Sequence, residues 1–464
     1  MEKEKITYEN KNNFHKLSES EKKNVFAFCE DYRQFISKAK TEREFCEDSC
    51  RLLESNGFVP LEDKKTLKAG DKVYAVNRGK GLIAAVIGKQ PMEDGINLVG
   101  AHIDSPRLDL KPNPLYEDQG IAFFKTHYYG GIKKYQWTTM PLAIHGIAAL
   151  EDGTQIKIVV GEKESDPVFC VTDLLPHLAQ KQMAQKMNEA IPGENLNVIL
   201  GNIECDDEDA KEAVKENILR ILHENYDIRE EDLLSSEIEV VPAFDARDVG
   251  LDRSMIGGYG QDDRVCGYTA LRAILEMKNP DKTAVCLLVD KEEVGSMGAT
   301  GMQSRYFENI MAKLCAKTAK NYSDLMLRDC LSNSTCLSAD VGAALDPNYA
   351  EVSEKRNSAF LNCGLVLTKY TGARGKSGAS DAGAELVAKM RKIFNENQVE
   401  WQMGELGKVD LGGGGTIAQF VANLDMDVID AGVPLLSMHS PFEIAGKLDI
   451  YMTYKGYREF YRNN

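Results

Sequence analysis

The stretch TAVCLLVDKEE, Thr283 to Glu293, limits the fold more than any other part of the chain. A run this apolar and this short does not span a membrane, and it reads as a strand covered on both faces. Strands of that kind belong to interior, largely parallel sheets with helices on either side. GLIAAVIG from Gly81 and INLVGAHID from Ile96 have the same texture. The fold class that follows is α/β, a mixed and mostly parallel sheet flanked by helices. The stretch also poses a problem. Glu292 and Glu293 stand side by side where the buried run ends. Adjacent carboxylates repel, and ionised groups beside an apolar core need compensation. The pair reads equally as the polar start of a helix or as part of a site.

Helical periods accompany these strands. Ser18 and Glu21 have capping-box spacing, and Val25, Phe28, Tyr32, Phe35 and Ile36 follow on one face. A second helix starts at Thr41, with Glu44 three residues on, and stops at Asn56-Gly57. KVYAVN and GLIAAVIG form a hairpin punctuated by Gly79 and Gly81. From about Ser105 the texture changes to β runs, with a turn at Asp152-Gly153 and one polar helical stretch near AKEAVKENILRILHENYD. Near Phe244 the α/β texture returns, with CGYTALRAILEMK as an amphipathic helix. At 464 residues two domains are the default. The simplest organisation is an α/β domain built from 1–104 and 245–464, interrupted by a β-rich lid or dimerisation domain at 105–244.

Charge and cysteine content exclude several classes. The formal charge of −16, from 56 basic and 72 acidic side chains, opposes nucleic acid or an anionic membrane surface as partner. MEKEKITYENKNN has no apolar core, so no signal peptide is expected. Eleven cysteines without CxxC spacing suggest reduced thiols and a cytoplasmic protein. Cys46 and Cys50, four apart on a helix, read as core positions rather than metal ligands.

The candidate chemistry lies before Ser105 and after Phe244. In INLVGAHID, residues i and i+2 of an extended chain share a face, so His102 and Asp104 stand together at a strand's C-terminal end. Ligand sites of open α/β sheets gather there. The histidine suits a metal, with Asp104 orienting it. Asp262 and Asp263 precede a helix, where aspartate ordinarily serves as an N-cap; the functional reading is a carboxylate whose two oxygens each hold a different metal ion. Glu292 and Glu293, taken as extended, point to opposite sides, one as ligand and one as general base. Asp340 ends another short strand, and His439 follows an apolar run. Each is weak alone. Together His102, Asp262, Glu293, Asp340 and His439, with Glu292 spare, offer two imidazoles, three carboxylates and no thiol. That set suits Zn²⁺, Co²⁺ or Mn²⁺.

The strings GAHIDSPRL, YGG at Tyr129, PHLA at Pro176, QDDR, EEVGS, SADVGAALDPNY and MHSPFE resemble, in order and wording, the aspartyl aminopeptidase family of dinuclear metallopeptidases, over nearly the whole chain. The resemblance implies two divalent ions, zinc first. One is held by His102, Asp262 and Asp340, the other by Asp262, Glu293 and His439. Glu292 is then the general base and Asp104 the support of His102. It further implies peptide substrates, a tetrahedral homo-dodecamer and the interrupted α/β architecture. The chain departs from the family at three places. Lys181 stands where many relatives have a second histidine after HLA, Asp346 replaces a histidine before PNY, and GGGGTIAQ begins at Gly412. These leave the preferred N-terminal residue open between acidic and neutral. Lys181, Lys369 and Arg374, with Lys376, are the cations available to an acidic side chain. A related dinuclear deacylase, or a scaffold that kept the fold without catalysis, are the rival readings.

Overall fold

The computed structural model describes Thr7 and residues 10–463. The rest of the N-terminal segment, on which the signal-peptide reading partly rests, lies outside the described residues, as does Asn464. The chain divides into two compact units, one of Met1–Asp104, Ala246–Met438 and Phe442–Asn464, the other of Ser105–Asp245 and His439–Pro441.

The first unit is built on a nine-stranded sheet. Its middle consists of Thr283–Val289, Ile96–His102, Thr335–Ser338 and Asp427–Gly432, parallel neighbours in that order. Every residue of the first three is buried. The hairpin Lys72–Val76 and Leu82–Val86 adds on antiparallel at one flank, and Leu365–Thr368 at the other.

Strand alternation sends side chains into two cores. Val99 and Ala101 join the core under helices Glu19–Lys38, Glu42–Ser55, Gln261–Leu275 and Lys447–Arg462. Ile96 and Leu98 join the core under Tyr306–Thr318 and Asp324–Ser332. The mixed sheet with helices on both faces is thus the α/β class read from the apolar runs. Both expected capping boxes form, Ser18 with Glu21 and Thr41 with Glu44. Cys46 is buried and Cys50 packs beside it, both against the first core. A smaller five-stranded sheet places Met255–Gly258 beside Glu443–Gly446.

The second unit is a seven-stranded antiparallel sheet with helix Ala213–Tyr226. Its long strands are Arg107–Asp118, Ile121–Tyr129, Leu142–Ala149 and Ser236–Pro242. Among the described residues no helix is long and apolar enough to cross a membrane.

Candidate metal centre

Three neighbouring parallel strands of the first unit stop at one edge. Register sets Val289 opposite His102, and Ser338 opposite Gly100. Main-chain bonds hold the three exits together: the Ile103 N–H donates to Val289 O at 2.9 Å, and the Ala339 N–H to Gly100 O at 2.6 Å. Polar residues follow immediately, Asp104 after one strand, Asp290 to Glu293 after the second, Asp340 after the third. The crevice outside the carboxyl ends of such strands is where α/β sheets bind ligands. Helix Gln261–Leu275 packs on the His102 strand and brings Asp262 and Asp263 to the same place. Neither aspartate has helical dihedrals, and the peptide bond joining them is cis.

The donors converge. Ligand atoms of His102, Asp262 and Glu293 lie within 4.8 Å of one another, as do those of His102, Asp263 and Asp340. The Nδ1 of His102 faces Asp104 O at 3.0 Å and Asp104 Oδ1 at 3.3 Å. Both are acceptors, so Nδ1 carries a proton and Nε2 is the atom presented to the site. That Nε2 stands 3.2 Å from Asp262 Oδ1 and 3.8 Å from Glu292 Oε2. Burial disfavours a charged ring, yet hydrogen bonds to Asp104 and Asp262 and the charge of Glu292 hold its pKa well above the usual histidine range. A cation that takes Nε2 therefore displaces a proton.

Asp104 does more than face His102. It is fully buried, and its two oxygens accept the N–H groups of Glu292 at 3.1 Å and Glu293 at 3.2 Å. The extended geometry expected for the two glutamates does not form. Lys291 adopts φ 72°, and Glu292–Val294 make a 3-10 turn. Adjacent side chains in such a turn diverge by about 120°, so the glutamates still point different ways, for a different reason. Gly295, Ser296 and Gly298 are also left-handed, at φ 96°, 58° and 95°.

With this geometry in view, the comparisons with known proteins decide the family. A family model described as Aminopeptidase I zinc metalloprotease (M18) matches residues 35–461. The chain belongs to the M18 family. It is 55% identical over 459 residues to a probable M18 family aminopeptidase 1 of Clostridium acetobutylicum, covering 98% of each chain. It superposes on the crystal structure of an M18 aminopeptidase from Thermotoga maritima with TM-score 0.95 and 50% identity, covering 99% of this chain and 100% of that one. A more distant structure, the Saccharomyces cerevisiae mApe1 dodecamer, shares the fold at TM-score 0.75 and 20% identity, over 94% of this chain and 97% of that one. This M18 chain is a metallo-aminopeptidase, a hydrolase that releases N-terminal residues from peptides.

The M18 site fits a divalent cation on its own chemistry. Both carboxyl oxygens of Asp263 are buried, and neither meets an N–H or O–H donor; the Cys266 thiol is a weak donor beside it. Burial pushes the Asp263 pKa well above the usual carboxylate range, and the neighbouring Asp262 adds to it, with His102 the cation that opposes them. Asp340 is raised in the same way, by burial and by Asp263. Carboxylates crowded around a single imidazole are what a doubly charged ion stabilises.

The remaining sequence candidates belong to the second unit, have partners of their own or are exposed. His439 belongs to the second unit, where its Nδ1 donates to Gly131 O at 2.8 Å. A Cβ on Gly131 would come within 3.3 Å of the His439 Nδ1. Lys181 lies exposed in the short helix Gln180–Met183 of the same unit. Lys369 faces Asp381 at 3.9 Å, and Lys376 pairs with the same carboxylate at 2.9 Å. Arg374 is exposed. Asp346 caps the turn Pro347–Val352 by accepting from Asn348 N–H.

Sequence reasoning gave Asp263 no role beyond an N-cap, although QDDR held it, and none to Glu443, the last letter of MHSPFE. Glu443 accepts the Asp262 N–H at 3.1 Å. Only the pairing of Gly258 with Glu443 across two distant strands brings it there.

Proposed function

We propose that this aminopeptidase works with two divalent ions, zinc by family. One draws on His102, Asp262 and Asp340, the other on Asp262, Glu293 and His439; Asp263, grouped with His102 and Asp340, offers the first a further oxygen. The observation that supports this reading is the grouping of His102 with Asp262 and Glu293, and of His102 with Asp263 and Asp340, the ligand atoms of each set lying within 4.8 Å of one another. A zinc ion held there supplies Lewis acidity, polarising the scissile carbonyl and acidifying water. Glu292 is the general base. It accepts the proton of the attacking water and returns it to the departing amine. Asp104 fixes the base by holding its N–H and fixes His102 by holding its ring.

The substrate is a peptide with a free N-terminus. With Lys369 and Lys376 engaged by Asp381, Arg374 and Lys181 are the exposed cations left to receive an acidic side chain. The enzyme is proposed as a cytoplasmic homo-oligomer, a dodecamer on the pattern of the family. Leu178, Met183 and Met187 of the second unit, 69%, 75% and 65% exposed, supply apolar surface for self-association, and the eleven cysteines fit a reducing compartment.

Glu292→Gln tests the reading. Turnover of aminoacyl anilides of Asp, Glu, Leu and Lys is expected to fall about 10³-fold, with metal content by elemental analysis unchanged. Near-wild-type turnover removes Glu292 from the role of base. Hydrolysis of N-acyl amino acids in preference to the anilides points to a deacylase instead.

A further inference from the structure

The turn that delivers Asp262 and Asp263 is gripped by two buried ionisable side chains outside the proposed ligand set. Arg264 is 0% exposed. Its guanidinium donates to Gly260 O at 2.9 Å through Nε and to Tyr259 O at 2.9 Å through Nη2. Through Nη1 it reaches Ala39 O, between the two N-terminal helices. It also stacks on the Tyr259 ring, 4.9 Å from its centroid. Gly260 is left-handed at φ 66°, and a Cβ there would fall 1.7 Å from Nη2. The glycine and the guanidinium are thus fitted to each other.

Glu443 holds the other end. Besides accepting the Asp262 N–H, it takes the Gln261 side chain, whose Nε2 donates to Glu443 O at 2.7 Å. Gln261 also donates to Ile256 O at 3.1 Å and accepts from the Tyr32 hydroxyl at 3.3 Å. Consecutive residues from Tyr259 to Asp262 are each fixed by a named bond. Burying a guanidinium and a carboxylate is costly. Here the hydrogen bonds of the guanidinium all go to main-chain carbonyls, and they set the shape of one turn.

We propose that Arg264 and Glu443 are positioning residues that set the affinity of the Asp262–Asp263 pair for divalent cations. This rests on the metal-site reading above. Without an ion, the crowded carboxylates repel and would splay. A turn clamped from both sides keeps them together before the cation arrives, so binding needs little rearrangement. Lysine does not replace the arginine, because one ammonium on a flexible stem does not reach carbonyls of residues 39, 259 and 260 together.

The test is a Co²⁺ titration of metal-free, full-length protein, read by the visible absorption of bound cobalt, with thermal melting in parallel. Wild type comes first: failure to bind Co²⁺ there refutes the metal-site reading itself. Given wild-type binding, Arg264→Lys and Glu443→Ala are expected to weaken Co²⁺ affinity about ten- to hundred-fold, and to lower kcat more than they raise KM. Glu443→Gln keeps an acceptor for the Asp262 N–H and is expected to bind like wild type. Leu53→Ala, a buried core change, is expected to lower melting with no loss of affinity. If Arg264→Lys and Glu443→Ala behave like Leu53→Ala, the residues are structural only and the proposal is overturned. Loss of affinity in Glu443→Gln overturns it too, because charge rather than position would then be acting. Should Arg264→Lys not fold, the Glu443 pair decides.

Discussion

Both units bury histidine and glutamate, and they treat them in opposite ways. In the second unit Arg107 meets Asp109 at 2.8 Å and Glu239 at 3.1 Å and stacks on the Tyr129 ring, while His145 meets Glu162 at 2.9 Å. These residues sit side by side across paired strands, Asp109 and His145 each opposite Glu239. The chain supplies both signs of charge. In the first unit four carboxylates converge on one imidazole, and under the proposed function the positive charge that completes the set comes from outside the chain. Burial of charged groups therefore does not mark a site; an excess of one sign among them does.

Removing the metal is the strongest way to break this contrast. A chelator is expected to abolish activity altogether. It should also raise hydrogen exchange at 102–104, 261–266 and 290–301, leaving strands Leu142–Ala149 and Ser236–Pro242 unchanged. Equal loosening of both units means that the second also depends on the ion. Next in size is a pair of neutralising substitutions of opposite expected sign. Glu239→Gln takes a partner from buried Arg107 and is expected to cost about 3 kcal/mol in urea unfolding. Asp263→Asn relieves repulsion, so melting of the metal-free protein should rise while metal binding weakens. The same sign from both collapses the distinction.

The smallest effect concerns a carboxylate that is buried yet outside the metal set. Asp430 accepts from the Thr416 hydroxyl at 2.8 Å. Burial raises its pKa to about 6, opposed by the nearby Ser338 and Thr416 hydroxyls. The unfolded value is about 3.9, so the folded chain keeps a proton that the unfolded chain releases between these limits. The contribution is full below about pH 4 and is lost as pH rises through about 6. Asp430→Asn is expected to remove a slope of about 1 kcal/mol per pH unit from stability in that window. An unaltered slope would assign it to other groups.

What was legible in the sequence was mostly local. Ser18 with Glu21 and Thr41 with Glu44 lie three residues apart, and both caps form as read. Apolar runs gave the inner strands because burial on both faces leaves no polar alternation to misread. The candidate site was proposed from its strings rather than from physics, since His102 and Asp340 meet only when the register of parallel strands is known. Asp263 was hidden because an aspartate before a helix is ordinarily a cap. Arg264 was hidden because a guanidinium bonded to carbonyls leaves no partner to find in the sequence. The turn at Glu292 was misread as extended because it depends on a left-handed Lys291, a conformation that lysine seldom adopts.

That same loop has a thermodynamic consequence. Lys291, Gly295, Ser296 and Gly298 are all left-handed, and two of the four are not glycine. Such a path is narrow: few other conformations satisfy so many unusual dihedrals within eight residues. The disorder it gives up is surrendered when the chain folds and the Asp104 carboxylate closes on it, not when a peptide arrives. Substrate binding should therefore show little entropic penalty from this loop, and Glu292, the proposed base, should stand ready in the resting enzyme.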